Sequence, residues 1–98
     1  MGPPMNVHSQ CQPDNAMVNM NTHMSDSKDV TCRALDDTLF VESEISIGDV
    51  TAGSQDACIF EPIKPLDGPT KFEITYTDSK DEQKTVRTAC NFYDPSLR

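Results

Sequence analysis

The sequence predicts an all-β fold: a small antiparallel β-sandwich or barrel of six to seven short strands, stabilised by two disulfides. Three observations predict it. Short runs of alternating apolar and polar residues recur along the chain, separated by clusters of Asp, Ser, Asn, Gly and Pro. Four cysteines, Cys11, Cys32, Cys58 and Cys90, are dispersed with no C-x-x-C pair among them. The chain is also short, 98 residues with 36% hydrophobic residues and no Trp, against a typical apolar share of about 45–50% (a figure that counts Gly). So thin a core needs a covalent or metal staple. Zinc sites bring their ligands in close pairs, whereas here only His8 and Cys11 are near neighbours and His23 stands alone. The cysteines therefore read as two disulfides, each closing a loop worth roughly 3–4 kcal/mol.

Taken in order, residues 1–15 carry Pro3, Pro4 and Pro13 among Asn, Gln and Asp, and read as an extended N-terminal arm tethered by Cys11. Met1-Gly2-Pro3 reads as an expression remnant, and residues 16–98 as a single β domain. Val18, Met20, Thr22 and Met24 alternate as in a strand, while Met17, Met20 and Met24 also fit one helical face behind an Asp14 or Asn15 cap. The turn that follows, Ser25-Asp26-Ser27-Lys28-Asp29, favours strand. Val30, Cys32 and Ala34 then alternate with Thr31, Arg33 and Leu35. Asp36-Asp37 marks a turn, and a strand or bent strand is expected over Thr38–Val50, with Leu39, Val41, Ile45 and Ile47 on one face and Phe40, Glu42, Glu44 and Ser46 on the other. Thr51–Gln55 is a small-residue loop and Ala57–Phe60 a short strand. Glu61–Thr70 holds Pro62, Pro65 and Pro69, each lacking a ladder donor, so it reads as a crossover between sheets.

The clearest element is the hairpin at the C-terminal end. Phe72, Ile74 and Tyr76 share one face of Thr70–Tyr76, a polar turn follows over Thr77–Glu82, and Val86, Thr88, Cys90 and Phe92 alternate with Thr85, Arg87, Ala89 and Asn91. Its turn begins Thr77-Asp78-Ser79-Lys80-Asp81, a near copy of Ser25–Asp29. Asp and Ser side chains bond nearby backbone groups and so reverse a chain; the repeat suggests a second hairpin.

Charge and composition narrow the function. The net charge is −8 and the eight Lys and Arg are scattered, which leaves no basic footprint for nucleic acid and disfavours an anionic membrane surface. No stretch approaches the ~20 apolar residues of a membrane span. Residues 1–10 lack the apolar core of a signal peptide, and Asn6 stands where a myristoylation signal requires Ser or Thr. Paired cysteines imply an oxidising compartment, so the chain reads as a mature, secreted, extracellular protein whose signal has been removed.

Residues with chemistry have simpler structural explanations. His8 and His23 have no defined Ser or Asp partner. Asp36, Asp37, Glu42, Glu44 and Asp49 could rim a calcium site, but no D-x-[DN]-x-[DN]-G loop is present. Pro62-Ile63-Lys64-Pro65 matches P-x-x-P, a pattern common by chance. No catalytic residue, metal or cofactor is predicted, and no enzyme. Of the three possible disulfide pairings, the preferred one clasps the ends through Cys11 and Cys90 and joins interior strands through Cys32 and Cys58.

The segments Val30-Thr31-Cys32-Arg33-Ala34, Asp56-Ala57-Cys58-Ile59-Phe60 and Thr88-Ala89-Cys90-Asn91-Phe92 set cysteines inside short strands joined by polar turns. By layout, over residues 11–92, this resembles the small cysteine-containing effector proteins secreted by filamentous fungi, the β-sandwich effectors and the Alternaria major allergen-like group. The resemblance implies a virulence or host-interaction role without catalytic residues. The expected function is that of a secreted, monomeric, effector-like binding protein engaging a host or extracellular protein partner. An alternative is an inhibitor or toxin-like domain acting through the exposed Glu61–Pro69 loop, with Ile63, Lys64 and Leu66 as binding residues. A third is an adhesion or surface module.

Overall fold

In the computed structural model, residues 5–22 and 25–95 are described. Among the described residues, eight strands form two four-stranded sheets. They are β1 (Asn6–Gln12), β2 (Asn15–Asn21), β3 (Ser27–Ala34), β4 (Glu44–Val50), β5 (Gln55–Phe60), β6 (Lys71–Thr77), β7 (Gln83–Ala89) and β8 (Asn91–Phe92). One sheet has the order β5-β2-β1-β8 and the other β4-β3-β6-β7. All pairs are antiparallel except β1 with β8. Two strands that follow each other across the layers, β2 and β3, pair with two others that do the same, β5 and β6. That interlock is characteristic of Greek-key sandwiches.

The alternation in the sequence sets which face each strand buries. Ala16, Val18 and Met20 of β2 point inward against Val30, Cys32 and Ala34 of β3 and Phe72, Ile74 and Tyr76 of β6. Without Trp, bulk comes from three phenylalanines: Phe60 and Phe72 lie 4.9 Å apart, and Phe40 lies 5.5 and 5.7 Å from them. These tilted rings fill one end of the sandwich. Both disulfides cross between layers. Cys32 of β3 bonds Cys58 of β5, and Cys11 of β1 bonds Cys90, the residue at which the chain leaves β7 and changes sheet to become β8. Beside that corner, the hydroxyls of Ser9 and Thr88 meet at 3.1 Å.

The C-terminal hairpin forms as expected, with β6 and β7 in register from Lys71↔Ala89 to Thr77↔Gln83. Asp78 organises its turn. Its carboxylate accepts the N–H of Lys80 and of Glu82, both at 2.9 Å. The Glu82 bond holds the Asp78 carboxyl below the usual carboxylate range; slight desolvation opposes this, while the Lys80 N–H and the charges of Lys84 and Lys80 reinforce it. Glu61–Thr70 crosses from β5 to β6, and so from sheet to sheet, as its prolines required.

Three expectations change, while the favoured strand reading of residues 16–24 holds as far as Asn21. The N-terminal stretch is extended but is no arm: Asn6–Gln12 is β1, hydrogen-bonded on both sides by β2 and β8. Ser9 and Cys11 fill the interior there, an inward pattern too weakly apolar to read as a strand. Residues 16–24 are strand as far as Asn21; His23 and Met24 lie outside the described residues. The first copy of the turn motif makes no hairpin, because β2 and β3 belong to different sheets. Instead Asp26 accepts the N–H of Ala52, and Lys28–Asp29 forms a bulge in β3. The two copies still share a feature: their final residues, Asp29 and Asp81, both take positive φ, 52° and 62°. Finally, Thr38–Val50 is not one strand. Phe40 is buried and Val41 is 61% exposed, the reverse of the expected faces, because an irregular stretch separates an isolated Phe40–Pro62 bridge from β4.

Candidate functional site

The outward faces of the two sheets differ in chemistry. On the β4-β3-β6-β7 sheet, register aligns Glu44, Arg33, Glu73 and Arg87 in one row across all four strands. The signs alternate and each neighbour is paired: Arg33 with Glu44 at 3.6 Å and Glu73 at 3.9 Å, Arg87 with Glu73 at 3.0 Å. The next row is hydroxyl, Ser46, Thr31, Thr75 and Thr85, with Thr31 and Ser46 3.2 Å apart. Exposed ion pairs contribute little individually, but here they neutralise the face and engage its side chains with one another.

On the β5-β2-β1-β8 sheet the rows are amide-rich. Gln55, Asn21 and Asn6 form one; Ala57, Asn19 and His8 the next; Ile59, Met17, Gln10 and Asn91 a third; Asn15 and Gln12 a fourth. Tyr93 extends the last row, its N–H bonded to the Cys11 carbonyl and its side chain 55% exposed. No charged residue occupies an outward strand position of this sheet. A shallow depression of about 250 Å³ lies on it, lined by His8, Asn19, Met20, Asn21, Gln55 and Asp56.

The three residues singled out in the crossover loop come together at the end of the sandwich that Phe40, Phe60 and Phe72 fill. A cleft of about 320 Å³ is lined by Thr38, Leu39 and the run Ile63 to Pro69. Leu66 is its buried anchor, its N–H bonded to the Pro13 carbonyl at 2.9 Å. Ile63 is 59% exposed and Lys64 is exposed beside it. The base of the loop is held by two main-chain bonds about the Phe40–Pro62 bridge, Val41 N–H to Glu61 at 2.9 Å and Ile63 N–H to Leu39 at 2.8 Å. Val41 and Ile63 are exposed on either side of this bridge, together with Glu61, while Phe40 is buried and Leu39 packs partly against the core. An apolar ridge thus stands on a fixed backbone.

The other candidates are dispersed. Asp36 accepts the hydroxyl and N–H of Thr38, Glu44 pairs with Arg33, and Asp49 accepts the N–H of Asp29. Among the described residues no three His, Cys, Asp or Glu side chains converge on a common point, and no helix is long and apolar enough to cross a membrane. His8 sits on the amide face; His23 lies outside the described residues. The amide face itself escaped the sequence reading, although its signal was present: Asn6, His8, Gln10 and Gln12, then Asn15, Asn19 and Asn21, occupy alternate positions. Comparison of the chain with protein-family models finds no match, and comparison with curated proteins finds no similar sequence.

Proposed function

We propose that the chain is a secreted, non-catalytic binding domain of effector-like type that engages a protein partner through the ridge of Val41 and Ile63 and the adjoining cleft. One observation carries this reading: two large apolar side chains, Val41 and Ile63, 61% and 59% exposed, flank a bridge held by main-chain bonds, and Ile63 lines the cleft beside it. Apolar side chains on a backbone already fixed lose little freedom on binding, which favours contact. The disulfides fit an extracellular setting. Affinity capture from host extracellular fluid, with wild type and the V41D/I63D variant compared at equal folded concentration, tests it. Wild type should retain one or more proteins that the variant loses with its melting temperature unchanged. An identical set on both would sink the reading.

A second reading is supported by the shape of the same loop. Ile63, Lys64 and Pro65 are exposed between two anchors, Pro62 in its bridge and buried Leu66. A loop presented this way suits insertion into an enzyme cleft, as an inhibitor requires. A panel of extracellular proteases separates the two: inhibition by wild type that K64A and I63A abolish favours the inhibitor.

A further inference from the structure

The amide face of the β5-β2-β1-β8 sheet lies apart from the ridge and cleft, and nothing in the proposed function uses it. Eight of its outward positions are Asn or Gln: Asn6, Gln10, Gln12, Asn15, Asn19, Asn21, Gln55 and Asn91. On the opposite sheet Arg33, Glu44, Glu73 and Arg87 are paired with one another, as are Thr31 and Ser46. Here, among the described residues, the side-chain hydrogen bonds and ion pairs engage none of these amides. The nearest carboxylates are marginal, Asp56 at the rim of the depression and Glu61 just past β5.

We infer that this face binds a neutral, polyhydroxylated chain, an uncharged polysaccharide. Charge is the first argument. A protein of net charge −8 presents here a face whose outward strand positions hold no Asp, Glu, Lys or Arg, with one carboxylate, Asp56, at the rim of the depression, so it has little to attract a charged ligand and nothing to repel a neutral one. Hydrogen-bonding capacity is the second. Each amide both donates and accepts, as each sugar hydroxyl does, so a hydroxyl-rich chain can pair with successive rows. An apolar occupant would instead strip water from the amides and return no bonds.

Size is the third argument. Strands of seven, seven, six and two residues, about 3.3 Å per residue and about 4.8 Å apart, make a face of about 350 Å². A stable protein interface needs about 800 Å² from each partner, so the face is too small for a second copy of the chain. It is large enough for a few sugar rings. The depression beside His8 and Asn19 suits one ring, and Met17, Ile59 and the exposed Tyr93 offer apolar surface to the C–H faces of others.

Titration of the intact disulfide-bonded protein with cellohexaose, laminarihexaose and chitohexaose, followed by side-chain amide resonances, tests the inference. At least one neutral hexasaccharide should shift the signals of Asn6, Gln10, Asn19, Asn21 and Gln55, while polygalacturonate should not. Gln10→Lys and Asn6→Lys, both at exposed positions, should each weaken that binding at least about tenfold without lowering the melting temperature. V41D/I63D should leave it unchanged, which keeps this result separate from the partner capture above. Absence of shifts with all three sugars, shifts confined to other surfaces, or lysine variants that bind as wild type would each overturn it. So would sedimentation showing self-association that Gln10→Lys abolishes.

Discussion

Both disulfides join the same two layers, yet they close loops of different length, and this difference has a measurable consequence. Cys32–Cys58 spans 26 residues and Cys11–Cys90 spans 79, the first nested inside the second. Loop-closure entropy gives about 3.5 kcal/mol for the inner link alone and about 4.5 for the outer alone. With the inner link intact the outer closes only 79 less 26, or 53, residues, worth about 4.2 kcal/mol. Removing Cys11–Cys90 from the native protein should therefore cost about 4.2 kcal/mol, and removing Cys32–Cys58 about 3.2. All four cysteines are buried, so substitution by Ala removes similar packing from each pair and the difference of about 1 kcal/mol belongs to the loops. Losing both should cost about 7.7 kcal/mol, within the ~5–15 kcal/mol that holds a domain folded. Urea unfolding of C11A/C90A, C32A/C58A and the quadruple variant, followed by circular dichroism, reads these values. The m-value should rise as each link goes, because the unfolded chain expands. If the inner pair proved as costly as the outer or more so, local packing rather than chain entropy would govern, and the reasoning would fail.

Three further outcomes are expected. Phe60→Ala, at a site 1% exposed between Phe40 and Phe72, should lose about 3–5 kcal/mol in the same urea assay. Gly48 and Gly68 should respond oppositely to Ala, although an added Cβ meets nothing within 4 Å at either. Gly48 has φ +78° and should lose about 1–2 kcal/mol, while Gly68 lies outside that region and should be neutral or gain up to about 1 kcal/mol. For Asp78 the folded carboxyl titrates below its ordinary value of 3.8. Its stabilisation is therefore complete above that value and disappears as pH falls through the folded pKa. Thermal unfolding of Asp78→Asn should lie below wild type at neutral pH and converge with it in strong acid; a gap that persists or widens there contradicts the assignment.

Which parts of the fold were legible depended on how much apolar signal each strand carried. Phe72, Ile74 and Tyr76 alternate so strongly that β6 and its hairpin could be read directly. The prolines of residues 61–70 likewise announced a crossover. The strand β1 was hidden because the side chains it buries are Ser9 and Cys11, one polar and one that declares itself only through its disulfide. Missing β1 also concealed the amide face, since Asn6, His8, Gln10 and Gln12 mean little until a strand gives them a common side. Phe40 failed for another reason. Periodicity carried through Val41 to Ile47 assumes an unbroken strand, and the irregular stretch between Phe40 and β4 resets the alternation. The repeated Asp-Ser-Lys-Asp motif fixed local backbone conformation in both copies but not topology. A positive φ at Asp29 produces a bulge within β3, and at Asp81 a turn between strands. The loop residues Ile63, Lys64 and Leu66 could be named in advance, but only the Phe40–Pro62 bridge and the Leu66 anchor make them one surface.

The placement of charge connects these surfaces. Of sixteen acidic residues, eleven lie outside the strands, and the two on the outer row of the β4-β3-β6-β7 sheet, Glu44 and Glu73, are paired with arginines. The negative charge is thus carried mainly by turns and rims, where water screens it and where it keeps copies of the protein apart. Whereas Val41 and Ile63 stand between Glu61 and Lys64, the outward strand positions of the amide face are where this arrangement leaves least charge. Contacts made there need not overcome the protein's own field, so their affinity should depend on fit and hydrogen bonding rather than on ionic strength. An acidic protein whose broad faces are neutral is suited to dissolve freely and still adhere at selected surfaces. This argues against treating the charge of −8 as a recognition signal for a basic partner.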